Sequence, residues 1–314
     1  MRVLIALGGN AMTGPGGDAS TESQQTAIAM AAERLAELIV AGHDIVLTHG
    51  NGPQVGNLLV KNEMAAAEVP PVPLDWCVAQ TQATIGFTIQ NAMVAALLAR
   101  NISRETATLV TRTVVDIDDP AFSRPTKPIG RYLPRDRAQQ LIDHGQRWED
   151  RGERGWRRVV PSPAPLEVLD VVTISDLVAS GRVVIAAGGG GIPVVRESDG
   201  TLRGVEAVID KDRTATLLAR GLDVDVLLIA TDVDHVMVDF GTPQARPLGR
   251  ISATELREHA RAGQFGSGSM GPKVEAALGF VDGGGRRAVI TSLDRIADGV
   301  SGSFGTVIEA TPAK

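Results

Sequence analysis

Two lysines, Lys211 and Lys273, stand at positions where a role in anion binding explains a lysine better than a role in folding does. Each lies in or beside the first turn of a predicted helix, where the partial positive charge of the helix N-terminus makes a cation mildly unfavourable. Lys273 also follows a glycine-rich run at residues 266–272, which carries many backbone N–H groups. A glycine-rich turn, a helix N-terminus and a lysine together predict an anion-binding site. An ordinary solvated surface lysine is the alternative for either residue alone.

Three glycine-rich turns provide further backbone donors. The apolar segments 3–7, 44–48 and 183–187 each predict a strand buried on both faces, and each runs directly into such a turn. One turn of this kind is common and often structural. If the three strands are neighbours, however, their turns meet at one edge of the sheet and surround an oxyanion or phosphoryl group. The candidate residues are Gly8, Gly9, Asn10, Gly50, Asn51, Gly52 and Gly189.

Acidic residues accompany the lysines. Asp210 flanks Lys211 and precedes Asp212, while Asp232 ends another apolar strand. Carboxylates at strand ends can hold a metal or orient lysines, and they can equally serve as helix N-caps. His49 is the only histidine in a candidate turn, and a structural role is at least as plausible for it.

The alternation of strands and helices predicts an α/β fold with a mostly parallel sheet. The chain has 314 residues, 43% of them hydrophobic, which suffices for one large domain or two joined lobes. Thr21 with Gln24 predicts a capping box for a helix that ends near Gly42, and Ser252 with Glu255 predicts a second box. Residues 116–165, with little periodicity, predict a small insertion or flap on the main body.

Composition narrows the partners. The net charge of −6 comes from interspersed charges, which argues against nucleic acid as the main partner. No leader or membrane segment is expected. The single cysteine, Cys77, cannot form an intrachain disulfide, which fits a reducing cytosol, and a small buried residue explains it better than a catalytic nucleophile does. Residues 266–271 match G-x-G-x-x-G but follow a helix instead of a strand, so the dinucleotide-binding context is missing. A P-loop is also absent from the sequence.

Taken together, these motifs resemble the amino acid kinase family, and within it the carbamate kinases, over essentially the whole chain. The segment PTKPIG at 125–130 discriminates the carbamate kinases, because other members instead carry a lysine in the first glycine turn. The other matching segments are LGGNA (7–11), THGNGPQVG (48–56), DPAF (119–122), GGGGIPV (188–194), AVIDKD (207–212), TDVD (231–234) and GSMGPKV (268–274).

The resemblance implies a three-layer αβα sandwich, the amino acid kinase fold, with a small protruding subdomain. It implies a homodimer that transfers a phosphoryl group between ADP and carbamoyl phosphate with Mg²⁺ carried by the nucleotide, giving ATP and carbamate. Residues 1–180, including the flap at about 116–165, would hold carbamate or carbamoyl phosphate. Residues 181–314 would hold ATP or ADP in a cytoplasmic enzyme.

The same resemblance implies roles for individual residues. Lys127 would reach from the flap to the transferring phosphoryl group, Lys211 and Lys273 would neutralise it from the nucleotide side, and Asp210 would position the lysines. The glycine-turn residues would bind the carbamoyl substrate. The implied nucleotide-binding residues are Lys211, Thr231, Asp232, Met237, Met270 and Lys273.

Three positions depart from the family pattern, since Ala83 replaces a usual glycine, Met237 replaces a common tyrosine, and Arg131 follows PTKPIG. Two rival hypotheses therefore stay open. Beside phosphoryl transfer from carbamoyl phosphate, the first rival is a family kinase for another small carboxylate or carbamoyl acceptor. The second is a non-catalytic sensor of nucleotide or carbamoyl phosphate. Retention of all three lysines argues against the sensor, because binding alone tolerates their loss. A dehydrogenase is disfavoured by the context of the glycine motif.

Overall fold

The structure is a computed structural model that describes residues 1–9, 12–13, 18, 20–266 and 270–310. Its strands are β1 (Arg2–Leu7), β2 (Asp44–His49), β3 (Thr106–Thr108), β4 (Arg112–Val115), β5 (Lys127–Leu133), β6 (Trp148–Asp150), β7 (Trp156–Val160), β8 (Pro165–Val168), β9 (Val183–Ile185), β10 (Ile192–Arg196), β11 (Leu202–Gly204), β12 (Val226–Thr231), β13 (Met237–Val238), β14 (Arg246–Pro247), β15 (Arg250–Ser252), β16 (Arg287–Ser292) and β17 (Thr306–Glu309).

Its helices are α1 (Thr21–Val40), α2 (Gly52–Ala65), α3 (Leu74–Leu98), α4 (Pro120–Ser123), α5 (Arg135–Asp143), α6 (Val171–Ala179), α7 (Lys211–Gly221), α8 (Ala253–Arg261), α9 (Met270–Asp282) and α10 (Ile296–Ser301). Not one of the helices described is both long and apolar enough to cross a membrane.

The central sheet has eight strands in the order β15-β17-β16-β12-β1-β2-β9-β3. All its neighbouring pairs are parallel except β16 with β17. Alternate residues of β1 enter different cores, because successive side chains of a strand point to opposite faces. Leu4 and Ala6 pack with residues of α6 to α9, whereas Val3 and Ile5 pack with residues of α1, α3 and α10. Helices thus cover both faces, which confirms the predicted αβα sandwich.

A second sheet in the order β11-β10-β4-β8 lies beside the main one, and β13 pairs with β14. The flap contains its own antiparallel sheet in the order β5-β7-β6, with an irregularity between Ile129 and Tyr132. The sequence shows no clear periodicity here because these strands are short and only partly buried.

The two predicted capping boxes have different outcomes. The box at Ser252 and Glu255 is present and opens α8. The prediction for α1 is wrong by one residue, because Ser20 is the N-cap and its hydroxyl accepts a hydrogen bond from the Ser23 N–H. Asp18 accepts from both serine hydroxyls, and this local network favours Ser20 over Thr21. Gly42, at φ +83°, follows the end of α1 as expected.

Candidate active site

The three glycine-rich turns lie at one edge of the central sheet. β1 pairs with β2, and β2 pairs with β9, all in parallel, so their carboxyl ends meet. A cavity of about 230 Å³ opens there. Among the residues described, it is lined by Gly9, Gly50, Asn51, Gly52, Pro53, Lys127, Gly189, Ile209, Asp210, Lys211, Asp212, Pro272 and Lys273. The convergence predicted from the strand pattern is therefore confirmed.

Glycine is required where the third turn meets the second. A Cβ atom on Gly189, which has φ +66°, would lie 2.2 Å from the Asn51 amide nitrogen. A Cβ on Gly188 would lie 2.3 Å from Nε2 of His49. The Asn51 amide donates to the Thr81 hydroxyl (3.0 Å), so Asn51 fastens the turn to α3 as well as lining the cavity.

His49 is fully buried beneath this turn, and its Nδ1 lies 3.0 Å from the Gly50 carbonyl oxygen. Burial lowers the pKa of His49 to about 4, with Lys211 contributing in the same direction. The ring is therefore neutral near pH 7. This supports the structural interpretation of His49.

Two of the glycines expected to donate to an anion use their N–H groups elsewhere. The Gly8 N–H donates to the Ala230 carbonyl (3.0 Å), and the Gly50 N–H donates to the Leu7 carbonyl (3.1 Å). Both hydrogen bonds continue the sheet pairing beyond the strand ends. The expectation that Gly8 and Gly50 donate their N–H groups to an anion was therefore wrong.

Gly9 and Gly52 line the cavity, and Gly52 is the first residue of α2, where a backbone N–H has no partner within the helix. They remain suitable anion donors. Gly8 lies outside the cavity lining, and Asn10 lies outside the described residues.

The helix α7 begins at Lys211 because Asp210 caps it. One carboxylate oxygen of Asp210 accepts from the backbone N–H groups of Asp212 (3.0 Å) and Arg213 (3.3 Å). Its other oxygen accepts from Lys127 Nζ (3.2 Å). Asp210 is thus both an N-cap and a lysine partner, and the two interpretations left open by the sequence hold together. Burial acts to raise the pKa of Asp210, but the ammonium groups of Lys127 and Lys211 together outweigh it and the pKa is lowered.

Asp212 holds the other two lysines and was missed as a site residue. Its side chain is only 4% exposed and accepts from Lys211 Nζ (2.5 Å) and Lys273 Nζ (2.8 Å). Burial acts to raise the pKa of Asp212, but the two ammonium groups dominate and hold the pKa well below its usual range. Burial lowers the pKa of Lys211, with Asp212 opposing that shift. The sequence feature that could have identified Asp212 is its place directly after Lys211 in the segment Asp-Lys-Asp.

The expected division of labour among the acids needs correction. Asp210 was expected to position all the lysines, yet its hydrogen-bonded lysine is Lys127, and Asp212 binds Lys211 and Lys273. The reason is backbone geometry. Asp210 precedes the helix and faces the flap, whereas Asp212 lies in the first turn of α7, which packs against α9 and therefore faces Lys273.

The remaining nucleotide-binding candidates do not line the cavity. Thr231 and Asp232 follow β12, the strand next to β1, and the Thr231 hydroxyl donates to the Asp232 carboxylate (3.0 Å). Met237 begins β13. Met270 begins α9 and packs against the core three residues before Lys273. Their roles stay predictions.

A protein-built metal cage is not found in the part of the chain that the structure describes, where no group of three or more acids, histidines or cysteines is placed to hold a metal ion. The two carboxylates of the cavity are engaged by lysines. This donor set fits a magnesium ion that arrives on nucleotide phosphates, which Mg²⁺ commonly prefers to an all-protein site.

Comparison with known proteins agrees with this geometry. A model of the amino acid kinase family matches residues 1–292. This chain belongs to the amino acid kinase family. Within that family, the carbamate kinase of Thermococcus kodakarensis is 44% identical over 313 residues, which cover 98% of each chain. The carbamate kinase-like protein YqeA of Escherichia coli is 43% identical over 311 residues, again 98% of each chain.

A solved structure of this family has the same fold. Carbamate kinase from Giardia lamblia bound to AMP-PNP superposes with a TM-score of 0.92 at 40% identity, and the match covers 99% of this chain and 98% of that chain. The amino acid kinase fold expected from the motifs is therefore confirmed over the full length.

Proposed function

We propose that this protein is a carbamate kinase that transfers a phosphoryl group reversibly between ADP and carbamoyl phosphate. The observation that carries the proposal is the convergence of Lys127, Lys211 and Lys273 on one cavity. Each ammonium group is held by an aspartate, so its position is set before substrate arrives. Curated relatives at 43–44% identity, among them the carbamate kinase of Thermococcus kodakarensis, support the choice of substrate.

The arrangement suits the charge of the reaction. The bond between phosphorus and the carbamoyl oxygen breaks, and a bond forms between phosphorus and a terminal phosphate oxygen of ADP, leaving carbamate and ATP. Phosphoryl transfer depends mainly on positioning and charge neutralisation. Lys127 would neutralise the transferring group from the flap, and Lys211 and Lys273 would do so from the nucleotide side. The N–H groups of Gly9 and Gly52 would bind oxygens of the substrate.

Magnesium would be held by the nucleotide phosphates and would neutralise part of their charge. We place the carbamoyl substrate in the lobe of residues 1–180 and the nucleotide in residues 181–314. The Giardia lamblia carbamate kinase structure bound to AMP-PNP supports a nucleotide substrate for this chain. A cytoplasmic location is also proposed, and the unpaired, buried Cys77 is consistent with it.

A homodimer is part of the proposal. The outer face of α3 exposes a row of large apolar side chains, with Trp76 59%, Phe87 60% and Leu98 66% accessible. A row of large exposed apolar side chains on one helix face is typical of an interaction surface. We expect F87E to dissociate the dimer in sedimentation-velocity experiments, and M30E, at an exposed position on α1, to leave it intact.

The decisive test measures ATP formation from ADP and carbamoyl phosphate, beside assays with acetylglutamate and with UMP as phosphoryl acceptors from ATP. We expect magnesium-dependent ATP formation with carbamoyl phosphate alone. Activity with a different acceptor would identify the kinase for another small substrate. Binding of nucleotide without turnover would favour the sensor.

A further inference from the structure

A polar contact joins the flap to helix α2 outside the cavity. Glu63 of α2 accepts a hydrogen bond from Nη1 of Arg158 on β7 (2.8 Å) and another from the amide of Gln146 (2.5 Å). Gln146 in turn accepts from the indole N–H of Trp148 (2.9 Å). Arg158 and Glu63 are largely covered, with side chains 20% and 26% exposed. We call Glu63, Arg158 and Gln146 the α2 latch.

The latch is connected to Lys127 through one short stretch of sheet. Arg158 pairs with Ile129 of β5, and two residues along the same ladder Val160 pairs with Lys127. Ile129 is fully buried in an apolar cluster with Val55 and Leu59 of α2. A displacement of β7 from α2 therefore moves Lys127.

Close backbone packing fixes the distance between α2 and β5. A Cβ atom on Gly56 of α2 would lie only 2.1 Å from the Cα of Gly130, so helix and strand are in direct backbone contact. Gly130 has φ +68°, and its carbonyl accepts from Nε of Arg157 (3.1 Å). Such close packing tolerates little change in the separation of β5 and α2.

Helix α2 also forms a wall of the cavity, because its first residue, Gly52, is part of the lining. One helix therefore holds the substrate end of the site and the base of the flap. The apolar cluster between α2 and β5 is attractive but non-directional. The latch adds two directional hydrogen bonds from flap residues to a single carboxylate.

We propose that the α2 latch positions Lys127 for phosphoryl transfer, acting through β7 and β5. Glu63, Arg158 and Gln146 are positioning residues, since they do not line the cavity. The proposal rests on the proposed function, in which Lys127 neutralises the transferring group. Lys211 and Lys273 are held by Asp212 and do not depend on the latch.

The test compares E63M and R158M with the wild type and with E33M, because methionine has a similar length but accepts no comparable hydrogen bond. Glu33 of α1 pairs with Arg100 (2.7 Å), two residues beyond α3 and away from the flap, and serves as the matched control. We expect E63M and R158M to lower kcat roughly 10- to 100-fold, since misplacing a catalytic group by about 1 Å can cost roughly 100-fold. The KM for ADP should stay within about twofold, and E33M should resemble the wild type.

Further variants keep the test decisive. If E63M or R158M fails to fold, Q146A removes one hydrogen bond without leaving a charge unpaired and should still lower kcat with an unchanged KM for ADP. The charge-exchanged pair E63R/R158E should recover part of the loss of R158E alone. Folded variants with wild-type kcat would overturn the latch. A wild-type enzyme that forms no ATP would overturn the proposed function itself, so the two failures are distinguishable.

Discussion

The two sides of the cavity hold their lysines in different ways. Lys211 and Lys273 share Asp212, and all three side chains are 13% exposed or less. Lys127 and Asp210 form a single ion pair whose side chains are 24% and 22% exposed. One side is a buried cluster, and the other is a contact between the flap and the start of α7.

The difference follows from what carries each lysine. The helices α7 and α9 pack together, and the Thr216 hydroxyl of α7 donates to the Ala276 carbonyl of α9 (2.9 Å). Lys211 and Lys273 are thus placed by the main core. Lys127 begins β5, in a sheet that touches the main body through α2 and through the bond from the Val208 N–H to the Pro161 carbonyl (3.0 Å). Its position depends on how the flap docks.

The largest effect is expected from K127A. Removing the flap ammonium should lower kcat for ATP formation roughly 1,000-fold or more, as loss of a charge-neutralising arginine does in other phosphoryl-transfer enzymes. Binding of ADP, measured by calorimetry, should hardly change, because Lys211 and Lys273 remain. R137A, at an exposed position on the flap helix α5, is the control. Near-normal turnover in K127A would show that the flap lysine is not needed for phosphoryl transfer.

D212N tests the buried side. The substitution removes the carboxylate to which the buried ammonium groups of Lys211 and Lys273 are hydrogen-bonded, and breaking a buried pair in this way costs about 3–5 kcal/mol. The free energy of unfolding, measured by urea denaturation, should fall by about that amount. D210N is the matched control, because asparagine is also a good N-cap and the pair it breaks is partly exposed. Equal losses in the two variants would show that the buried cluster and the flap contact contribute alike to stability.

A pair of glycine substitutions separates docking from core packing. G56A forces a methyl group against the Gly130 backbone and should displace the flap, lowering kcat about 10-fold through Lys127. G279A, in α9, places its Cβ at an ordinary 3.5 Å from Thr216 and should leave kcat unchanged. The kcat of each variant, measured by steady-state kinetics, shows whether flap docking or α7–α9 packing limits the reaction. A larger loss of kcat in G279A would show that α7–α9 packing controls the reaction instead.

The last expected effect is the dependence of stability on pH that the buried His49 causes in the main body. His49 has a folded-state pKa of about 4, below its unfolded value, so its contribution to stability is complete above about pH 6.5 and is lost as the pH falls towards 4. Between pH 7 and pH 5 the wild type should lose about 2 kcal/mol from this group alone. H49Q should show a correspondingly weaker dependence in denaturation at the two pH values, and H144Q, at an exposed histidine, is the control. An identical dependence in H49Q would exclude His49 as the source.

Much of the site could be predicted from local patterns. The apolar strands before the glycine turns, the placement of Lys211 at a helix start and the box at Ser252 all follow from residues close in sequence. The α1 cap was misplaced because Asp18 adds hydrogen bonds that a four-residue motif does not contain. Gly8 and Gly50 looked available as donors because nothing local reveals which carbonyls continue the neighbouring strands.

The sequence by itself determined the fold class, the family and the three lysines, since strand periodicity, glycine turns and motif spacing are local properties. Only the tertiary structure decided which aspartate holds which lysine, because Lys127 lies 83 residues from Asp210 and Lys273 lies 61 residues from Asp212. It also placed Glu63 against Arg158, 95 residues away. Pairings of this kind depend on how α7, α9 and the flap pack, and no short-range pattern encodes them.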